Sequence, residues 1–170
     1  MGKPVFLIGY MGSGKSTAGR KLSRSMGYFH FDLDEEIEKL AGKSISLIFS
    51  EEGEDAFRLL EHSVLASLTR RKNVVVSTGG GTPCFYNNLQ LMNESGVTVY
   101  IKMKPESLAK RLQSAKIKRP LLEQVVHTDL TAFITEHLSR REDFYSRAQL
   151  TVKGESLDFE QLLSSVKDYL

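Results

Sequence analysis

Residues 9–16 read Gly9-Tyr-Met-Gly-Ser-Gly-Lys-Ser16, and they follow the apolar run Val5-Phe-Leu-Ile8 without a spacer. The stretch has the pattern Gly-x-x-x-x-Gly-Lys-Ser of a P-loop, in which a strand enters a glycine-rich turn and then a helix. The glycines let successive backbone N–H groups converge on one oxyanion. A glycine-rich turn that merely precedes a lysine is the alternative, but the fixed residues directly after a strand-like run argue against it. The pattern predicts a site for a nucleoside triphosphate.

The P-loop residues have separate expected roles. A helix that starts near Lys15 aims its positive end at the phosphates. Lys15 is expected to reach the β- and γ-phosphates, and the Ser16 hydroxyl to ligate the Mg²⁺ that bridges them. The nucleotide contacts are predicted at Gly12, Ser13, Gly14, Lys15, Ser16 and Thr17.

Composition limits the class of protein. The chain has 170 residues, of which 41% are hydrophobic and 26% charged, so we expect one domain over residues 1–170. The net charge of +2 is too small for nucleic acid to be an expected partner. Cys84 is the single cysteine, which excludes an internal disulfide and agrees with a cytoplasmic location. No apolar run is long enough to span a membrane, and no targeting segment is evident.

The remaining periodicity predicts alternating strands and helices. β-Branched runs predict strands, and apolar residues at helical spacing predict helices. The predicted strands are 5–8, 28–31, 73–78, 97–101 and 150–152, and the predicted helices are 17–26, 37–41, 45–49, 54–68, 87–93, 105–112, 129–138 and 159–166. We therefore predict an α/β/α P-loop fold of three layers with a five-stranded parallel sheet.

Two carboxylates, Asp32 and Asp34, follow the second predicted strand, where open α/β sheets bind ligands. The valine-rich strand ends in Ser77, where many P-loop proteins place an aspartate for the metal. Asp32 is the nearest replacement, acting on Mg²⁺ through water. Asp34 could then accept the proton of a substrate hydroxyl. The alternative is that Asp34 caps the following helix.

Two further stretches suggest anion and substrate contacts. Gly79-Gly-Gly81 at a strand end allows the backbone to lie against a ligand, although a plain flexible turn is the alternative. Residues 102–119 hold seven basic side chains against one acid, which suits phosphate. A solvated helix face explains some of them, but it explains Arg119 less well, because Arg119 lies in a break before Pro120.

Six motifs follow one another along nearly the whole chain. They are Gly9–Thr17, Asp32-Leu-Asp34, Gly53-Glu-x-x-Phe57-Arg58-x-x-Glu61, Gly79-Gly-Gly81, Arg119-Pro-Leu-Leu122 and Arg141 four residues before Tyr145. In these motifs and their order the sequence resembles the shikimate kinases. The resemblance implies transfer of the γ-phosphate of ATP to the 3-hydroxyl of shikimate, on the route to chorismate and the aromatic amino acids. We expect a monomer that binds shikimate and ATP with Mg²⁺.

The resemblance also implies roles for individual residues. Asp34 would bind the substrate hydroxyls and act as the base, Arg58 and Arg141 would bind the carboxylate, and the backbone of Gly79, Gly80 and Gly81 would lie against the same substrate. Arg119 would reach the phosphates from a lid at 113–124, and Arg111 would lie near adenine. The substrate segment is expected at 33–61.

Physical chemistry supports these roles and leaves alternatives. A carboxylate with several hydroxyls calls for planar cations and a hydrogen-bond acceptor, which Arg58, Arg141 and Asp34 supply. Arg58 could instead be a surface arginine paired with Glu54 or Glu61. A kinase of another small acid, such as gluconate, and a nucleotide-dependent switch protein are the other candidate functions. The four histidines have no metal-ligand spacing and are predicted to be structural or surface residues.

Overall fold

The structure is a computed structural model that describes residues 2–114 and 129–170. Five parallel strands form one sheet in the order β2-β3-β1-β4-β5. Their bounds are Val5–Ile8 (β1), Phe29–Asp32 (β2), Val74–Ser77 (β3), Val97–Lys102 (β4) and Leu150–Lys153 (β5). The predicted five-stranded parallel sheet is confirmed.

Seven α-helices lie within the described residues. Their bounds are Lys15–Met26 (α1), Leu33–Ala41 (α2), Ile45–Thr69 (α3), Asn88–Ser95 (α4), Pro105–Ser114 (α5), Leu130–Tyr145 (α6) and Phe159–Asp168 (α7). Thr82–Cys84 form a short 3-10 turn. None of these helices is long and apolar enough to cross a membrane.

The apolar core lies on both faces of the sheet, as the continuous apolar run of β1 requires. Phe6 and Ile8 point into one cluster, with α2 to α6, and Val5 and Leu7 point into the other, with α1 and α7. All four side chains are fully buried. A central strand covered on both faces gives the three predicted layers.

Two helices are longer than the sequence predicts. In α3 the predicted break between 49 and 54 is present as a kink at Gly53, where φ is 85° and ψ is 173°, but residues 50–52 are also helical. Glycine can adopt this positive φ without a steric penalty, so two helical segments meet there. α6 extends past Leu138 to Tyr145, because the buried residues Arg141 and Tyr145 continue its inward face.

The sheet register brings the ends of three neighbouring strands to one edge. In β3, Ser77 pairs with Leu7 of β1 and with Asp32 of β2. Since the strands are parallel, the loops that follow them leave from the same edge of the sheet. The P-loop, the Asp32–Asp34 segment and the glycine turn 79–81 are therefore neighbours.

Candidate active site

Backbone conformation shapes the P-loop. φ is 145° at Gly9, 81° at Gly12 and 93° at Gly14, all in the region that favours glycine. A Cβ atom at position 9 would lie 2.7 Å from the carbonyl oxygen of Ile101, so a side chain cannot fit there. Gly14 precedes α1 directly, and the helix N-terminus faces the loop.

Two buried side chains of the loop carry hydrogen-bond donors. The Lys15 ammonium donates hydrogen bonds to the carbonyl oxygens of Gly9 and Tyr10, each at 2.9 Å, and Lys15 is 8% exposed. The Ser13 hydroxyl is buried and has no hydrogen-bond partner among residues 2–114 and 129–170. A buried hydroxyl without a partner is costly in the folded protein, and a phosphate oxygen would satisfy it.

The two residues predicted to act on Mg²⁺ contact each other. Ser16 Oγ donates to Asp32 Oδ2 at 2.7 Å, and Asp32 Oδ1 accepts from the backbone N–H of Asp34 at 3.1 Å. Asp32 is thus the N-cap of α2, and the alternative that Asp34 caps this helix is wrong. A hydroxyl and a carboxylate side by side form an oxygen donor set that fits Mg²⁺.

Ser77 supports the P-loop from the neighbouring strand. Its hydroxyl donates to the carbonyl oxygen of Lys15 at 3.1 Å and is hydrogen-bonded to His30 Nε2 at 2.9 Å. Burial lowers the pKa of His30, and the negative charge of Asp32 partly offsets that effect. The serine at the end of β3 therefore contacts the first turn of α1, and Asp32 at the end of β2 supplies the carboxylate that contacts Ser16.

Arg58 lies in α3 with its guanidinium directed at the glycine turn. It donates to Glu61 Oε2 at 2.9 Å and to Glu54 Oε1 at 3.2 Å, so the ion pairs weighed as an alternative role are present. Arg58 is nevertheless only 8% exposed, and its guanidinium lies 3.9 Å from the ring centroid of Phe85. It is therefore a buried, oriented cation, and the surface location in that alternative is wrong.

The glycine turn brings the acidic residues and Arg58 together. A Cβ atom at position 79 would lie 3.2 Å from Asp34 Oδ1 and 3.4 Å from Glu61 Oε1, and one at position 81 would lie 2.7 Å from Arg58 Nη2. Glu61 is fully buried and also accepts from Thr82 Oγ1 at 2.6 Å. These close approaches explain why the turn has no side chains.

Arg141 approaches the same turn from α6. A Cβ atom at position 80 would lie 3.2 Å from Arg141 Nη1, and this buried nitrogen has no hydrogen-bond partner within the described part of the chain. The hydroxyl of Tyr145 donates to the carbonyl oxygen of Gly80 at 2.5 Å. A buried guanidinium with an unsatisfied donor has the charge and the hydrogen-bond donor with which a carboxylate would pair.

Of the two arginines predicted at the nucleotide, the structure describes only Arg111. Arg111 Nη1 donates to the carbonyl oxygen of Gly12 at 3.4 Å, so α5 borders the P-loop. Arg119 lies outside the described residues, as does all of the predicted lid 113–124 except its first two residues. No cluster of three or more metal-ligating side chains occurs in the described ranges.

Several contacts of the site were not predicted. Glu61 was weighed only as an ion-pair partner of Arg58, and the hydrogen bond between Tyr10 and His137 was not predicted, although His137 was expected to be a structural or surface residue. His30 and His62 are each hydrogen-bonded within the fold, as expected of structural residues, while His127 is outside the described residues. The spacing of His137, Arg141 and Tyr145, four residues apart, was the available signal for a shared helix face.

Comparison with known proteins assigns this arrangement to a family. The family model "Shikimate kinase" matches residues 11–170. The chain belongs to the shikimate kinase family. Its shikimate kinase relatives include one from Parabacteroides distasonis, 44% identical over 99% of this chain and 97% of the relative, and one from Bacteroides thetaiotaomicron, 42% identical over 96% and 94%. The resemblance to shikimate kinases is confirmed.

Solved structures agree with this assignment. The crystal structure of the shikimate kinase from Bacteroides thetaiotaomicron has a TM-score of 0.88 at 37% identity and covers 98% of this chain and 97% of its own. The shikimate kinase from Acinetobacter baumannii in complex with shikimate has a TM-score of 0.86 at 32% identity and covers 99% and 92%. A gluconokinase from Sinorhizobium meliloti, at 19% identity and a TM-score of 0.57, shares the fold alone.

Proposed function

We propose that this protein transfers the γ-phosphate of ATP to the 3-hydroxyl of shikimate, giving shikimate 3-phosphate and ADP on the route to chorismate and the aromatic amino acids. One observation supports the proposal most directly. Asp34, Arg58 and Arg141 come from three different helices and converge on the glycine turn 79–81, next to the P-loop, in a member of the shikimate kinase family.

The acceptor side has the charges that a hydroxylated carboxylate requires. We propose that Arg141 and Arg58 bind the carboxylate, because both guanidinium groups are buried and border the turn. Glu54 and Glu61 already hold Arg58 from two sides, which fixes the orientation of its guanidinium plane. Arg141 Nη1 has a donor to offer, since no described residue accepts from it.

The donor side binds the triphosphate through the loop backbone. Lys15 is proposed to bind the β- and γ-phosphates, where its charge stabilises the transition state more than the ground state. Ser16 would ligate Mg²⁺ directly and Asp32 would hold it through water, and the charge of the ion offsets that of the phosphates when it is bound. Gly12, Ser13, Gly14 and Thr17 complete the proposed phosphate contacts.

Transfer then needs one proton acceptor. As the 3-hydroxyl oxygen of shikimate forms a bond to the γ-phosphorus, the bond from that phosphorus to the β–γ bridging oxygen breaks and ADP leaves. Asp34 is proposed to accept the hydroxyl proton. Asp34 lies in the first turn of α2, two residues after Asp32, which contacts Ser16. The proposed base therefore adjoins the residues that are proposed to hold the metal.

Other features of the chain stay predictions. These are a single domain over 1–170, a substrate segment at 33–61, a lid at 113–124 that carries Arg119, Arg111 near adenine, a monomeric state and a cytoplasmic location.

The test is ADP release with and without an acceptor. A panel of hydroxy acids should include shikimate, its saturated relative quinate, and gluconate, because a gluconokinase shares the fold. We expect ADP release that depends on shikimate and Mg²⁺, with shikimate the preferred acceptor. Comparable rates with gluconate, or ADP release independent of any acceptor, would contradict the proposal.

A further inference from the structure

Three side chains on one face of α6 reach the loops of the site. His137, Arg141 and Tyr145 are four residues apart, and at about 3.6 residues per turn they lie on the same face of the helix. His137 Nδ1 is hydrogen-bonded to the hydroxyl of Tyr10 at 2.8 Å, and the hydroxyl of Tyr145 donates to the carbonyl oxygen of Gly80 at 2.5 Å. On α6, Arg141 thus lies between His137, which is hydrogen-bonded to the P-loop, and Tyr145, which is hydrogen-bonded to the glycine turn.

Tyr10 is the P-loop residue that contacts His137 and Arg141. Its carbonyl oxygen accepts from the Lys15 ammonium, and the residue is 2% exposed. The ring centroid lies 5.7 Å from Arg141 Cζ, which allows a cation–π contact. The ring also packs edge to face against the ring of His137, at 5.5 Å and 86°.

The protonation states of Tyr10 and His137 are compatible with the positive charge of the neighbouring Arg141. Burial, followed by the positive charges of Arg141 and Arg140, lowers the pKa of His137 to about 4, against an opposing contribution from Glu136. Burial raises the pKa of Tyr10 to about 12. Near neutral pH both groups are therefore uncharged, and the imidazole does not repel the Arg141 guanidinium.

We propose that Tyr10 and His137 are positioning residues whose hydrogen bond fixes Arg141 in the orientation that binds the acceptor carboxylate. The inference rests on the proposed function, because it gives Arg141 that role. A long arginine side chain loses rotamer entropy when it binds, and a buried aromatic ring beneath it, locked by its hydroxyl, reduces that loss before the substrate arrives. The hydroxyl of Tyr10 thus acts on affinity for the acceptor without touching it.

The first test compares variants of the two partners. Tyr10→Phe removes the hydroxyl but keeps the ring, and His137→Leu removes the hydrogen-bond partner of that hydroxyl. Each should weaken shikimate binding roughly three- to tenfold, the equivalent of one hydrogen bond, while affinity for a non-hydrolysable ATP analogue changes by less than about twofold. His137→Asn offers an oxygen near the position of Nδ1 and should restore most of the affinity. Tyr169→Phe, which removes an exposed hydroxyl on the other face of the sheet, is the matched control.

The second test separates positioning from plain packing. Shikimate affinity is measured by calorimetry for wild type, Tyr10→Phe, Arg141→Ala and the double variant. If the hydroxyl acts through Arg141, Tyr10→Phe should have no further effect once Arg141 is removed.

The outcomes distinguish this inference from the proposed function. An equal loss from Tyr10→Phe in both backgrounds, or unchanged shikimate affinity in Tyr10→Phe, overturns the inference and leaves the role of Arg141 intact. If Arg141→Ala binds shikimate as wild type does, both the carboxylate assignment and this inference fail. Circular dichroism and thermal unfolding of each variant show whether the fold is preserved, and His137→Asn supplies the conservative comparison if His137→Leu unfolds.

Discussion

The donor side and the acceptor side of the site are built by different means. The donor side is eight consecutive residues, 9–16, whose shape comes from three glycines with positive φ and from the start of α1. The acceptor side consists of side chains separated by more than a hundred residues, from Asp34 to Arg141, which meet only because the sheet and α6 bring them to one turn. The donor side is therefore one continuous stretch of sequence, whereas the acceptor side is assembled only when the chain folds.

This difference has consequences for how each side responds to substitution. Backbone N–H groups cannot be removed by mutating a side chain, so the effects on the donor side should concentrate at Lys15 and at the glycines. On the acceptor side the proposed charged contacts are side chains, each held by other residues, such as Glu61 for Arg58 or Tyr10 for Arg141. Substitutions there should change acceptor affinity and leave nucleotide affinity nearly unchanged.

The largest effect is expected for Lys15→Ala on the donor side. The ammonium belongs to the loop that is proposed to bind the triphosphate, and groups of this kind contribute about 10²-fold or more to kcat. We expect steady-state kinetics with saturating shikimate to show kcat lowered by at least that factor. Lys167→Ala, on the exposed surface of α7, should be neutral. Retention of more than about a tenth of wild-type turnover would contradict the role of Lys15.

Asp34→Asn should have the next largest effect, on the acceptor side. The substitution keeps the shape of the side chain but removes the carboxylate that is proposed to accept the proton, so kcat should fall by about 10²-fold or more. Binding of an ATP analogue should persist, as calorimetry would show. Asp55→Asn on the exposed face of α3 is the matched control. A variant with normal kcat would remove Asp34 from the mechanism.

The roles of Lys15 and Asp34 could be predicted from sequence, whereas the contacts that orient Arg141 could not. The P-loop has a fixed order of residues, and the capping glycine at 27 ends α1 as its position indicates. The interruption between 49 and 54 was predicted, but its position at Gly53 and the helical conformation of residues 50–52 were not, because apolar periodicity does not fix where a helix ends. The Tyr10–His137 contact joins positions 127 residues apart, and no local pattern specifies such a pair.

A smaller effect is expected for Gly81→Ala, which tests the close packing of the acceptor side. φ at Gly81 is −86°, so alanine causes no backbone strain, but its Cβ atom would lie 2.7 Å from Arg58 Nη2. The guanidinium must shift, and we expect shikimate affinity to fall about tenfold, as for the loss of one charged hydrogen bond. The same substitution in an Arg58→Ala background should have no further effect on shikimate affinity. An undiminished loss there would mean that the turn itself, and not Arg58, was disturbed.

The smallest expected effect is on the pH dependence of folding stability, through His137, which contacts the P-loop residue Tyr10. The pKa of His137 falls from its ordinary value of 6.5 to about 4 in the fold. Between these values the unfolded chain binds more protons than the folded protein, so His137 makes the fold less stable as the pH falls from about 6.5 to about 4. Urea unfolding at a series of pH values should show a shallower loss of stability in His137→Asn. An unchanged slope would contradict a buried, neutral His137.

The division between the two sides is tested most directly by calorimetric titration of Arg141→Ala and Arg58→Ala with shikimate and, separately, with an ATP analogue. Each arginine supplies a charge-assisted contact worth about 1.5–3 kcal/mol, so shikimate affinity should fall roughly tenfold to a hundredfold while nucleotide affinity barely changes. Arg141→Ala is the cleaner variant, because Arg58→Ala also leaves the buried Glu61 without its cation. Unchanged shikimate affinity together with weakened nucleotide binding would contradict the assignment of these arginines to the acceptor.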